Sequence, residues 1–289
     1  MKGTFLQSSQ ILNIYSKNDI FCDINCKSRS NNIIKNKILF DFNKEYENIN
    51  GILLCNNYQE ILQNIDVTIP KKIFQTHKSI DYVNSKEKTK NATLSWKKYT
   101  DFEYNFYSDE DCDKFIEEYF PDIYVIYKKL PRPIMKADIW RYCVIYYYGG
   151  IYADVDTVCK FDPNQLLHPA LLTGVPETDN IHLCQWIFAA PPKSPLLKSI
   201  LDLFVERYNK GINFKQEHIV HYLTGPGVFT DGIENYLLNN KLPILFEKKN
   251  YKYYPKNILY MYNCDIFHRE YIIHLFTGLD PDGWTNDLL

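Results

Sequence analysis

No run of roughly 18 apolar residues occurs in the chain, so no membrane-spanning helix is expected. The opening MKGTFLQSSQILNIYSKNDIF has a single lysine and no continuous apolar core, which argues against a secretory signal and for a cytoplasmic location. An excess of charge is lacking too. Formal net charge is -2 and the pI about 6.4, so the basic footprint of a nucleic-acid-binding protein is missing. The eight cysteines contain no C-x-x-C pair, and Cys22 and Cys26 have no second ligand pair nearby, which argues against a structural zinc. Thiols such as Cys143 in WRYCVIYYY read instead as small buried hydrophobes of a reducing compartment. Internal repeats and low-complexity tracts are likewise missing.

What is present is an ordinary globular composition, 45% hydrophobic and 24% charged over 289 residues. That suits one large domain, or one domain with an extension. Residues 1–68 are rich in Asn, Lys and Ile with short apolar patches such as IIKNKILF and GILLC, and read as an extension packing on the body at 69–289. From Ile69 the pattern is α/β. KKIFQTH after Pro70 reads as a strand. SDEDCDKFIEEYF reads as a helix capped by Ser108 or Asp109, with acids in its first turn. A long apolar helix over about Met135 to Tyr147 follows Pro131 and Pro133 and stops at Gly149-Gly150. IYADVDTV then reads as one strand and CQWIFAA as another. SPLLKSILDLFVERYNK reads as a helix with Ser194 as N-cap, HYLTGPG as a loop into a further helix, and YIIHLFTG as a closing strand. Alternating strands and helices predict a mostly parallel sheet covered on both faces.

The densest chemistry lies in KADIWRYCVIYYYGGIYADVDT, residues 136–157. On a strand, side chains at i and i+2 share a face, so Asp154 and Asp156 are expected to project together. Two carboxylates so placed repel unless a cation neutralises them, and hard oxygen ligands favour Mg²⁺ or Mn²⁺. The pair follows a helix, a Gly-Gly turn and an apolar strand, which puts it at a strand's carboxyl end, where open α/β sheets bind ligands. Asp138 and Arg141 lie three apart on the preceding helix and are expected to meet on one face. That pair is either a local salt bridge or, on so apolar a helix, a grip for a polyhydroxy ligand. His274, in the apolar YIIHLF, is either a core histidine or a metal or diphosphate ligand. His218 and His221 read as structural. TGPG at 224–227 is either a turn or a source of backbone N–H groups for an oxygen-rich ligand. Trp284 either caps the site or packs on the core.

These segments, in this order, resemble the family 32 glycosyltransferases, and in particular the fungal-type enzymes that initiate outer-chain α-1,6-mannosylation. The stretches that carry the resemblance are IPKKIFQT (69–76), SWKKYTDFEYNFYSDED (95–111), MKADIWRYCVIYYYGGIYADVDT (135–157), CQWIFAAPPKSPLL (184–197), LTGPGVFTD (223–231) and HLFTG (274–278). The same D-x-D block occurs in large glucosylating bacterial toxins. The resemblance implies a GT-A fold, a retaining mechanism and a nucleotide-sugar donor, GDP-mannose before a UDP-sugar, with a glycan or protein as acceptor. Carried onto this chain, it implies that Asp156 binds the metal directly and that Asp154 holds it through water or reaches the ribose. It implies that Asp138 and Arg141 grip the donor sugar. Gln75 and Thr76 would lie beside the base, Tyr152 in the donor pocket, His274 at the metal and diphosphate, and Trp284 at the donor. The chain departs from the family pattern in having Phe74 where histidine is frequent and in placing LDPDG between Gly278 and Trp284; a fungal-type secretory anchor is also not expected. Three competing readings are a toxin-like, protein-modifying transferase, an inactive nucleotide-sugar-binding protein, and a glycosidase. Glycosidases need carboxyls about 5–9.5 Å apart across a sugar, and a shared cation suits adjacent carboxylates better.

Overall fold

The structure, a computed structural model, describes residues 65–177, 182–240, 258–262 and 264–279. Its centre is a six-stranded sheet in the order β2-β1-β3-β6-β5-β7. The strands are β1 Lys72–Thr76, β2 Glu103–Tyr107, β3 Gly150–Ala153, β5 Leu172–Gly174, β6 Ile187–Ala190 and β7 Leu259–Met261. β1 pairs parallel with β2 and β3, β6 pairs antiparallel with β3 and β5, and β5 pairs parallel with β7. Only β6 in this sheet therefore runs against the rest. The result is the expected α/β fold with a mostly parallel central sheet. β4 Thr157–Cys159 and β8 Ile272–His274 form a separate antiparallel pair.

Both faces of the sheet are buried, and the two-residue period of a strand shows in how its residues divide. Phe74, Tyr152 and Phe188 face one apolar core, and Ile73, Ile151, Ala153, Ile187 and Ala189 the other. The first core is roofed by α3 Asp109–Tyr119, α4 Pro121–Tyr127, α5 Pro133–Tyr148, α6 Pro195–Asn209 and α8 Pro226–Asn239. α1 Ile80–Ser85 and α2 Glu87–Lys97 lie before β2, and Trp96 of α2 is buried in the second core. Among the described residues no helix is long and apolar enough to cross a membrane.

Local chemistry sets the ends of these elements. Ser108 and Asp111 form a reciprocal capping box at the start of α3. Pro133 is inside the first turn of α5, two residues before the expected start. α5 is buried without interruption from Asp138 to Ile145, as its all-round apolar sequence requires. Gly149 ends it at φ 67, and a Cβ there would lie 2.6 Å from Pro192. Gly150 follows at φ 117, where a Cβ would lie 2.7 Å from the Lys72 carbonyl oxygen. The two glycines let α5 turn sharply into β3 against β1.

Three expectations are corrected here. IYADVDTV is not one strand, because β3 ends at Ala153 and β4 begins at Thr157. HYLTGPG is not a loop: α7 Ile219–Leu223 precedes a break at Thr224-Gly225, and Pro226 then opens α8. Ser194 stands at the N-cap position of α6 but makes no capping bond, since its hydroxyl donates to the Leu171 carbonyl.

Candidate active site

The D-x-D segment is a turn. The Thr157 N–H and hydroxyl both donate to the Asp154 carbonyl, at 3.1 and 2.5 Å, which bends the chain out of β3. Trp96 pins the exit, its indole N–H donating to the Thr157 carbonyl at 2.9 Å. Asp154 and Asp156 therefore converge because of this turn and not because of strand alternation. The turn also starts β4, whose register sets Thr157 opposite His274 of β8. That pairing brings His274 and Thr277 onto the two carboxylates.

Each carboxylate has one oxygen anchored and the other facing His274. Asp154 Oδ1 accepts from the Tyr152 hydroxyl and lies 3.3 Å from Arg141 Nη1, while its Oδ2 lies 3.7 Å from His274 Nε2. Asp156 Oδ2 accepts both the N–H and the hydroxyl of Thr277 at 2.9 Å, while its Oδ1 lies 3.4 Å from His274 Nε2. The three ligand atoms lie within 4.8 Å of one another. Two carboxylate oxygens, each with its partner oxygen anchored, and an imidazole nitrogen fit a divalent cation. Burial raises the Asp154 carboxyl, but Arg141 and then His274 outweigh it and hold the group below the usual carboxylate range. Burial likewise opposes charge on His274. The facing Asp154 and Asp156 carboxylates raise it above the usual histidine value. A cation must replace that proton.

Behind the turn, Arg141 is 3% exposed and reaches in several directions. Nη2 meets Asp138 Oδ1 at 3.0 Å, Nη1 donates to the Gln185 carbonyl at 3.1 Å, and the guanidinium lies 4.6 Å from the Tyr152 ring centre. It thus ties α5 to the D-x-D turn. Asp138 also accepts from Gln185 Nε2 at 3.1 Å and the Thr224 hydroxyl at 2.9 Å. Burial pushes its carboxyl up to about 7 against the pull of Arg141 and Thr224. Protein groups thus already satisfy both members of the pair.

A cavity of about 1460 Å³ opens over these groups, and Asp138, Arg141, Tyr152, Asp154, Asp156 and His274 all line it. Thr76 is on its wall, next to His77, whose ring stacks on Tyr82 at 4.8 Å. Gln75 does not meet its expected position beside a base. It is fully buried, donates to the Asp154 carbonyl at 3.0 Å and accepts from the Tyr104 hydroxyl at 2.8 Å, so it braces the turn. Phe74 is buried and stacks on Tyr148. Of the TGPG segment, the Gly225 N–H is already bonded to the Val220 carbonyl. Trp284 and the LDPDG insertion beyond Leu279 lie outside the described residues. Sequence reasoning missed Thr277 and Gln185. Gln185 did carry a signal, as a lone amide opening the buried run WIFAA. Thr277 carried none, because its role depends on the β4–β8 register.

The site is thus an acidic turn at the carboxyl end of a central strand, closed by a distant histidine, and sequence comparison gives its family. The family described as the glycosyltransferase sugar-binding region containing a DXD motif matches residues 26–171, half of the chain. The chain belongs to that family. Its match begins inside the segment set apart above as an extension. The initiation-specific alpha-1,6-mannosyltransferase of Candida albicans is 28% identical over 219 residues, covering 62% of this chain and 56% of that protein. The protein of the same name from Schizosaccharomyces pombe is 27% identical over 230 residues, covering 69% and 56%. The chain thus spans little more than half the length of these relatives. Among solved structures, the PaToxG glycosyltransferase aligns at 21% identity with a TM-score of 0.48, over 65% of this chain and 76% of that one.

Proposed function

We propose that the chain is a metal-dependent, retaining glycosyltransferase that moves a hexose, mannose first, from a nucleoside-diphosphate sugar to a glycan or protein acceptor. The observation that carries this reading is the convergence of Asp154 Oδ2, Asp156 Oδ1 and His274 Nε2 beside the buried Asp138–Arg141 pair, all on one cavity. Asp154, Asp156 and His274 would hold Mn²⁺ or Mg²⁺, which supplies neutralisation of the diphosphate charge as the nucleotide departs.

The remaining work falls to the chain's own side chains. Tyr152 and Arg141 fix one oxygen of Asp154, and Thr277 fixes one oxygen of Asp156, so the ligand oxygens need little reorganisation. Asp138 accepts from a sugar hydroxyl while Arg141 donates to a neighbouring one, which orients the hexose. Thr76 and the stacked His77–Tyr82 pair lie on the cavity wall where the nucleoside would extend. The mannosyltransferase names of the relatives support mannose and, with it, GDP-mannose as donor.

The test is donor hydrolysis and transfer with GDP-mannose and UDP-glucose in parallel, with Mn²⁺ and after chelation. Turnover of GDP-mannose that needs the cation supports the reading in full. Turnover of UDP-glucose alone would replace the donor and keep the class. Absence of binding and turnover with both would remove the class.

A further inference from the structure

We propose that Glu177, Cys184 and His268 form a second cation site, for a borderline-soft divalent ion of the zinc class, distinct from the D-x-D cluster. Two arms of chain present Glu177 and Cys184. The Glu177 N–H donates to the His182 carbonyl and the Cys184 N–H to the Val175 carbonyl, both at 2.8 Å, and Pro176 bridges Leu183 between them. His268 comes from elsewhere, on the π-helical turn Phe267–Tyr271. Turns of that kind are rare and are frequently found at functional sites. One ligand atom from each of the three residues lies within 4.8 Å of the other two, and Cys184 Sγ is 3.8 Å from His268 Nε2.

Tetrahedral zinc, with bonds of ~2.0–2.3 Å, holds its ligand atoms roughly 3.3–3.7 Å apart. The sulfur–nitrogen pair is therefore near its bound spacing, and the carboxylate, within 4.8 Å of both atoms, needs to close by no more than about 1.5 Å. A thiolate with an imidazole selects zinc-class ions over Mg²⁺ and Mn²⁺, whereas the two-carboxylate cluster prefers harder ions. Glu177 is steadied by the Trp186 indole N–H, which donates to Oε1 at 3.1 Å. The same indole lies 5.3 Å from the His268 ring and 4.9 Å from the His274 ring, so one side chain separates the two sites. Glu177 lines the main cavity while Cys184 is fully buried, which leaves the cavity side for a fourth ligand such as water.

The competing arrangement is a His268 that keeps its Nε2 proton and donates it to the Pro176 carbonyl, 3.3 Å away, beside an inert core thiol. Cobalt distinguishes the two, because sulfur-to-cobalt charge-transfer absorption in the near ultraviolet arises only from a thiolate ligand, and the D-x-D cluster has none. The full chain, reduced and stripped of metal, is titrated with Co²⁺. The expected result is a charge-transfer band that saturates at about one equivalent and disappears when zinc is added. Cys184→Ser should abolish the band, and Asp156→Asn should leave it intact. His268→Gln should weaken cobalt binding by about tenfold or more with the far-ultraviolet dichroism unchanged. No band from fully reduced protein, a band that survives Cys184→Ser, or equal cobalt affinity in His268→Gln would overturn the proposal. If Cys184→Ser does not fold, the partly exposed His268 carries the test. The site stands apart from the transferase reading, since Asp156→Asn can silence turnover without moving the cobalt band.

Discussion

Replacing Asp138 by asparagine separates sugar recognition from helix bracing. Asp138 Oδ1 meets Arg141 and Gln185, and Oδ2 accepts from the Thr224 hydroxyl. An asparagine keeps its oxygen at the first position and puts its amide nitrogen at the second. Thr224 then accepts that N–H and turns its own proton to the Val220 carbonyl, 3.2 Å away. The network therefore stays satisfied. What is lost is a charge-assisted bond worth ~1.5–3 kcal/mol, offset by relief of the cost of burying a carboxylate. The net change should stay within about 2 kcal/mol, which is a Tm shift of at most about 4–8 °C for a chain of this size. Asp138→Ala instead strands Arg141 and Gln185, costs ~3–5 kcal/mol and lowers Tm by roughly 6–20 °C. In Asp138→Asn, transfer and donor hydrolysis should fall on the order of a hundredfold, near 3 kcal/mol, because the sugar hydroxyl loses a charged acceptor. GDP affinity by calorimetry should change by less than about threefold, since Asp138 does not serve the diphosphate. Equal losses of GDP and GDP-mannose affinity, or turnover at the wild-type rate, would show that Asp138 and Arg141 only brace the helix.

Thr277→Val keeps the N–H bond to Asp156 but removes the hydroxyl bond, so Mn²⁺ affinity should fall about tenfold by calorimetry with little change in Tm. Gly150→Ala should cost at least ~3 kcal/mol in urea denaturation, because the backbone is at φ 117 and the new Cβ meets the Lys72 carbonyl oxygen at 2.7 Å. Asp138 also sets a pH dependence. Its folded value, about 7, lies above the unfolded 3.8, so the folded chain binds the extra proton between them. That contribution to stability is complete below about pH 4 and is lost as pH rises through about 7, up to about 4 kcal/mol in all. Urea melts of metal-free protein should show the decline, and Asp138→Asn should flatten it.

The parts of the fold legible in the sequence are those fixed by near neighbours. Pro133 and the Gly149-Gly150 pair bound α5, Ser108 caps α3, and the apolar run after the glycines gives β3. The acidic pair and the i, i+3 pair on α5 were visible for the same reason. What the sequence hid depends on distant chain. The D-x-D segment has strand-like composition, yet Thr157 and Trp96 bend it, and the second half pairs with β8 rather than with the central sheet. His274 and Thr277 reach the carboxylates only through that pairing. Gln75 sits at the end of a strand that reads correctly, but its amide is taken by Asp154 and Tyr104, which no spacing rule reveals. The break between α7 and α8 falls at Thr224, where a polar residue in a glycine-containing segment resembles a loop.

Cation dependence of donor turnover tests the central claim most directly. Hydrolysis of GDP-mannose is measured on metal-stripped wild-type protein and on Asp156→Asn, each with EDTA and then with excess Mn²⁺. The account predicts no turnover in EDTA, recovery of the wild type with Mn²⁺, and no recovery of Asp156→Asn, with Asp154→Asn less impaired, as expected from the family resemblance that would make Asp156 the direct ligand. Undiminished turnover of the wild type after rigorous chelation would contradict it.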